Sequence, residues 1–169
     1  MNEQHFTDTV TATIVGFLRQ IGLVVRDGEI PEGAFLPGIW IEQGTFVVNE
    51  ADLRFPGDLL HEAGHLAVAA PERRSGIVGD AGSDPAEEMM AIAWSYAAAV
   101  HLQLDPAIVF HEEGYRGEST ALIENFQQGR TFGVPMLQWV GMTYDATRAN
   151  DYQVAPYPHM IQWLRPQNG

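Results

Sequence analysis

The chain has 169 residues, 46% of them hydrophobic, so it can bury a substantial core, and its length favours one domain over two. The net charge of −13 comes from 22 acidic residues against nine basic ones; such a field repels phosphate backbones and anionic lipid, which argues against nucleic acid or a membrane as a partner. The lack of cysteine excludes disulfides, thiolate metal sites and a cysteine nucleophile.

The first ten residues, MNEQHFTDTV, lack the basic and apolar segments of a signal peptide. No apolar run approaches the roughly 18 residues needed to span a bilayer. We therefore expect a cytoplasmic protein.

The first third of the chain predicts one helix and a few short strands. Apolar residues recur at helical spacing over 7–21, and LVV at 23–25 is typical of a short strand. The next segment alternates around Gly44 and is rich in β-branched and aromatic residues, which predicts a hairpin with strands near 39–43 and 45–49.

Two strong helices are predicted in the middle of the chain. The first begins near Pro56–Asp58, because proline suits a first helical turn, and it ends before Pro71. Residues 71–83 are predicted to form a loop. The second helix has the start signal SDPAE at 83–87 and an Ala- and Met-rich body that ends near Leu104.

The last third of the chain is predicted to be helical. Three further helices are expected, over 105–113, 119–128 and 135–142. A helix, a few strands and then helices favour an α+β fold over alternating βαβ units. We expect a single domain over residues 1–169, with a core at about 7–110 and a C-terminal helical part at about 111–165.

The run LLHEAGHLAV at 59–68 contains the pattern His-Glu-x-x-His. Positions i and i+4 of an α-helix lie about 40° apart, so His61 and His65 project from one face and their imidazoles can share an ion. Glu62 lies about 100° round the helix, where a carboxylate reaches a metal-activated water, as the general base of zinc peptidases does. The alternative is a buried histidine pair that backbone carbonyls satisfy without metal.

A catalytic zinc takes three protein ligands and keeps one position for water. No third histidine stands at the metzincin spacing, so the third ligand must come from elsewhere, and Glu87 and Glu88 on the next helix are the candidates. If a capping box turns Glu87 back towards the backbone at Asp84, then Glu88 is free to face the site. Alternatively, both glutamates simply complement the positive end of the helix dipole.

These residues also carry a family resemblance. A His-Glu-x-x-His helix, followed across a loop by a helix that supplies a glutamate, resembles the gluzincin-type metallopeptidases. The run GTFVVNEADLRFPGDLLHEAGHLAV is similar to the ImmA/IrrE-type family, in which a strand ending in Asn precedes an Arg-Phe segment and the metal helix. That family's second helix carries Glu-x-x-Ala-Asn-x-Phe-Ala; Glu88, Ala91 and Trp94 match it, whereas Ile92 and Ser95 depart from it.

The resemblance covers about residues 7–110 and implies a zincin-like fold and a zinc-dependent peptidase. It implies one zinc ion per chain on His61, His65 and Glu88, with Glu62 as the base. Members of that family often act on regulatory proteins such as transcription repressors, so the expected partner is a peptide or protein substrate.

Other parts of such a site remain open at this stage. The transition state needs a further donor, and seven side chains are candidates: Tyr96, Tyr115, Tyr144, Tyr157, His101, His111 and His159. A hairpin strand could pair with an extended substrate, and the loop YPHM at 157–160 could fold over the cleft. FHEEGY at 110–115 is interpreted as a helix end, and Glu72-Arg73-Arg74 as a solvated cluster.

The alternative function is a non-catalytic, zinc-stabilised binding or regulatory domain. Such a structural site usually closes with four protein ligands and has no use for Glu62. The glutamate therefore favours the enzyme.

Overall fold

The computed structural model describes residues 5–82, 84–115 and 117–167. Within these ranges the chain forms seven α-helices and three strands: α1 (Thr9–Gln20), β1 (Val24–Asp27), β2 (Ile39–Glu42), β3 (Thr45–Val48), α2 (Pro56–Val68), α3 (Pro71–Arg74), α4 (Pro85–His101), α5 (Ser119–Gln127), α6 (Val134–Trp139) and α7 (Ala146–Tyr152). The α+β class is therefore confirmed. None of these helices has both the length and the apolar character required to cross a bilayer.

The three strands form one small mixed sheet in the order β1-β3-β2. β2 and β3 are the predicted hairpin, joined by Gln43 and Gly44, both with positive φ, as the tight primed turns of hairpins require. β1 pairs with β3 in parallel. Phe46, Val47 and Val48 on β3 are all buried, so both faces of this central strand are covered.

The centre of the molecule is the packing of α2 against α4. Ten consecutive α4 residues, 90–99, are buried, which explains why this Ala-rich helix shows little polar–apolar alternation. Gly64 on α2 allows the close approach, because a Cβ there would lie 2.8 Å from the carbonyl oxygen of Ala91. This contact brings the first turn of α4 alongside the middle of α2.

The C-terminal part packs on the same core. Trp163 meets Trp94 and Phe17 edge-on, and its carbonyl accepts a hydrogen bond from the Trp94 indole at 2.9 Å. The Arg165 amide donates to the carbonyl of Ala67 at 2.8 Å. Residues 163–165 thus fasten the end of the described chain to both α2 and α4.

Three predicted boundaries are wrong in informative ways. The predicted loop 71–83 begins with the short helix α3, where Arg74 donates to the carbonyls that end α2. The expected helix 105–113 is only a 3₁₀ turn at Pro106–Ile108, because the backbone there packs directly on Gly57 of α2. The helix predicted over 135–142 ends at Trp139.

Helix α7 was not predicted from the sequence. Its signal is local: Asp145 caps it, accepting a hydrogen bond from the Arg148 amide at 2.9 Å. A seven-residue helix with one buried residue, Ala149, offers too little apolar periodicity to be recognised.

Candidate metal centre

The two motif histidines lie on α2 and face α4. Proline at the first position of α2 removes one unpaired amide, and buried Leu59, Leu60 and Leu66 seat the helix in the core. His65 is only 4% exposed, whereas the His61 side chain is 15% exposed. Their rings stand 5.0 Å apart and nearly perpendicular, as expected for neighbours one helical turn apart.

Glu88, in the first turn of α4, meets both histidines. Its Oε2 lies 2.6 Å from Nε2 of His65, and its Oε1 lies 3.4 Å from Nε2 of His61. One ligand atom from each of the three residues can be chosen so that all lie within 4.8 Å of one another. The three residues that the sequence nominated as ligands are therefore close enough to bind one metal ion.

The neighbouring Glu87 does not join this group. Its carboxylate forms an ion pair with Arg73 on α3, and Asp84 caps α4 by accepting a hydrogen bond from the Ala86 amide at 2.8 Å. Glu72 and Arg73 are exposed, as predicted, although Arg73 also pairs with Glu87. Arg74 departs from the prediction, because it is half-buried and binds helix carbonyls.

The donor set suits zinc. Two imidazole nitrogens and one carboxylate are ligands that zinc accepts, and three protein ligands leave a fourth position open.

The electrostatics of the site also favour a positive charge beside Glu88. Hydrogen bonds from His61 and His65 hold the pKa of Glu88 well below its usual range. Burial works against protonation of His65, but the hydrogen bond to Glu88 and nearby negative charges raise its pKa overall. The carboxylate of Glu88 thus favours positive charge at the position between it and His65.

Glu62 stands beside this group. Burial raises its pKa, opposed by the positive charge on His61 and His65 and assisted by the negative charge of Asp80 and Glu88. Its side chain lines the main cleft and a smaller recess beside β2. A buried carboxylate with a raised pKa is suited to accept a proton near neutral pH.

The cleft over the three residues has a volume of about 460 Å³ and is open on one side. One wall is apolar, formed by Phe35, Leu36, Pro37 and Phe55. The remaining lining is mostly charged or polar: Arg54, Asp58, His61, Glu62, His65, Asp80, Glu88, His111, Glu113 and Tyr115. Phe35 is 85% exposed, an unusual position for a large apolar side chain. The cleft therefore offers an apolar surface beside an acidic floor.

A loop after the 3₁₀ turn closes one end of the cleft. Nε2 of His111 lies 2.6 Å from a carboxylate oxygen of Asp58, and the ring stacks on Phe55 at 3.9 Å. The Tyr115 hydroxyl lies 3.2 Å from Nδ1 of His61. Sequence reasoning did not find these contacts, since nothing in the residue pattern links Asp58 to a loop 53 positions away.

Only two of the seven candidate donors, Tyr115 and His111, line the cleft described above. Tyr157 instead donates a hydrogen bond to the carbonyl of Ala93 at 2.7 Å, in the core. His101 and His159 border a separate depression at the other end of α4, roughly 20 Å along the helix from Glu88. The expectation that the loop 157–160 covers the cleft is therefore wrong.

The outer edge of β2 is already partly used. The Gly79 amide donates to the carbonyl of Ile41 at 2.7 Å, and Gly79 packs against the ring of Trp40. Strand addition at this edge would first have to displace Gly79.

Comparison of the chain with known protein families, with curated proteins and with solved structures gives no match. Any function must therefore be inferred from the site itself.

Proposed function

We propose that the protein is a zinc-dependent peptidase of the gluzincin type, similar to the ImmA/IrrE-type family. The observation that carries this proposal is the convergence of both Nε2 atoms, of His61 and His65, on the carboxylate of Glu88. Beside them Glu62 faces an open cleft. A purely structural zinc site has no need of a cleft or of a buried base at its edge.

Zinc bound at this position would lower the pKa of a coordinated water to about 7 and polarise a substrate carbonyl. The chain supplies the remaining groups. Glu62, whose pKa burial raises, accepts a proton from the attacking water and passes it to the leaving amine. The attacking water and Glu62, which accepts its proton, would stay at a fixed separation. His61, His65 and Glu62 lie on α2, and Glu88 lies on α4, which packs against α2.

The cleft also indicates the kind of substrate. Phe35, Leu36 and Phe55 offer an apolar side chain a place to bind, while Asp80 places negative charge nearby. The charge of Glu113 at the rim is already paired with Arg54. The net charge of −13 attracts basic segments over a longer range. A peptide segment with a large apolar residue flanked by basic residues fits these walls.

The proposal is tested by cleavage of a peptide library derived from a proteome digest, with products identified by mass spectrometry. Wild-type protein loaded with zinc is expected to produce new termini next to large apolar residues. Glu62→Gln is expected to keep its zinc and to lose cleavage by at least about 100-fold, the scale of a lost general base.

Glu72→Gln provides the matched control, since it makes the same carboxylate-to-amide change at an exposed residue of α3 that does not line the cleft. It is expected to cleave as the wild type does. Zinc-loaded wild-type protein that cleaves no member of the library would contradict the peptidase, as would a Glu62→Gln variant that cleaves at the wild-type rate.

A further inference from the structure

The segment 111–115 contacts helix α2 at two points. His111 and Tyr115 are four positions apart on the segment, and their partners Asp58 and His61 are three positions apart on the helix. The first contact is 2.6 Å between Nε2 of His111 and the carboxylate, and the second is 3.2 Å between the hydroxyl and Nδ1 of His61. The segment therefore lies along the flank of α2 that borders the cleft and is held there at two points.

The first contact, between His111 and Asp58, is shielded from solvent by neighbouring groups. Asp58 and His111 have side chains only 16% and 13% exposed, and the histidine ring stacks on Phe55 with an interplanar angle of 12°. The backbone of Gly114 folds over the same ring, since a Cβ there would lie 2.9 Å from its Cε1. Solvent screens such a shielded pair less than it screens the exposed ion pair between Arg54 and Glu113 at the rim.

The second contact acts on a proposed metal ligand. A histidine that binds a metal through Nε2 carries its proton on Nδ1, and a hydrogen-bond acceptor at Nδ1 fixes that tautomer and the orientation of the ring. The Tyr115 oxygen is at the right distance to accept this proton from His61. Burial and nearby carboxylates raise the pKa of Tyr115, so its hydroxyl stays neutral.

We propose that segment 111–115 is a clamp that orients His61. Asp58 holds the segment in place through His111. Tyr115 then fixes the tautomer and orientation of His61, which makes it a positioning residue and not a catalytic one. This inference rests on the proposed zinc site, but the two can fail separately.

The test measures zinc affinity by competition with a chromogenic chelator, using the full chain. Tyr115→Phe is expected to bind zinc about 10- to 100-fold more weakly than wild type, the range found for partners of metal-bound histidines. Tyr157→Phe is the matched control, because it also removes one hydroxyl, here bonded to the carbonyl of Ala93. It is expected to keep wild-type zinc affinity.

A second measurement separates positioning from general support of the fold. In the zinc-loaded protein, NMR is expected to show the Nδ1 proton of His61 protected from exchange in wild type and in Tyr157→Phe. In Tyr115→Phe this proton is expected to exchange rapidly. Wild-type affinity and a protected proton in Tyr115→Phe would overturn the clamp, while absence of zinc binding in wild type would instead overturn the proposed function.

The role of His111 is tested by a double-mutant cycle. If His111 acts through Tyr115, then the single variant His111→Ala weakens zinc binding. The same change adds little further loss in the Tyr115→Phe background. Losses that simply add would show that His111 acts by another route and would overturn the two-point clamp. If His111→Ala does not fold, His111→Phe, which keeps a ring to stack on Phe55 but removes the contact with Asp58, takes its place in the cycle.

Discussion

The two histidines of the candidate metal centre are held in different ways. His65 is fixed by packing: it is 4% exposed, and the α2–α4 contact around it is close enough that Gly64 has no room for a side chain. His61 lies on the more open flank and is met by the loop residue Tyr115. One candidate ligand thus depends on the core and the other on a hydrogen-bonded loop.

Because the two histidines are held differently, changes on the two sides of the site should affect different properties, stability on one side and metal affinity on the other. Damage on the packed side should lower the stability of the whole protein, because α2 and α4 form its centre. Damage on the loop side should lower metal affinity and leave the fold largely intact, because none of residues 111–115 is itself fully buried. Three further predictions test the contrast, from the largest effect to the smallest.

The largest effect is expected for Gly64→Ala. The new Cβ would lie 2.8 Å from the Ala91 carbonyl oxygen and 3.2 Å from the ring of Trp94, so the helices must move apart. We expect a loss of about 2–3 kcal/mol in the free energy of unfolding, at the upper end of what overpacking costs. Urea denaturation of the metal-free protein measures it.

Gly16→Ala is the matched control for this substitution. Gly16 also lies inside a helix, but a Cβ there meets nothing within 4 Å. The change should therefore stabilise the protein by about 0.5–1 kcal/mol through helix propensity alone. If the two substitutions had equal effects, the contact between α2 and α4 at Gly64 would not be as close as the packed side of the site requires.

An intermediate effect is expected from pH on the metal-free protein. The lowered pKa of Glu88 contributes stability above the ordinary value of 4.5 that is lost as the pH falls below it. The raised pKa of His65 contributes stability below the ordinary value of 6.5 that is lost as the pH rises through the higher folded-state value. These two groups make stability greatest between about pH 4.5 and pH 6.5. The raised pKa of Glu62 costs stability as its proton is lost above pH 4.5, so it moves the maximum towards the acidic end of that range.

Thermal unfolding in a chelator, followed from pH 4 to pH 9, checks this profile. Glu88→Gln is expected to flatten the profile, because it removes the charge that His65 pairs with. Tyr115→Phe should keep the wild-type profile, since a neutral hydroxyl contributes no charge. A flattened profile in Tyr115→Phe and an unchanged one in Glu88→Gln would reverse the assignment of the two sides.

The smallest effect is expected for Arg54→Gln. This side chain is 63% exposed and pairs with Glu113 at 3.1 Å, and such surface pairs stabilise by about 0.2–1 kcal/mol. Its loss should change the free energy of unfolding by less than about 1 kcal/mol. If Arg54→Gln weakened zinc binding as much as His111→Ala does, the loop would be held at its rim and not by the shielded Asp58 contact.

Much of the α2 and α4 geometry could be predicted from the sequence because its causes are local. Helical spacing alone puts His61 and His65 on one face, and the start signal of α4 places Glu88 in its first turn. The choice of Glu88 over Glu87 also followed from helix-start chemistry, although the structure gives Glu87 a different partner, Arg73.

The rest could not be predicted, because it depends on contacts between distant segments. Tyr115 was one of seven candidate donors, and only the fold brings it to His61, 54 positions away. The shortened helix after Asp105 has the same origin, since packing of Ile108 on Gly57 outweighs local propensity. Local signals identified the candidate ligands, but not the loop that contacts one of them.

The most direct test of the central claim is the zinc content of untagged protein, measured by elemental analysis after dialysis with zinc and then against buffer. Wild type and Glu87→Gln are each expected to hold about one zinc per chain, whereas His65→Ala and Glu88→Gln hold almost none. Equal zinc in Glu87→Gln and Glu88→Gln, or none in wild type, would contradict a metal centre built from His61, His65 and Glu88.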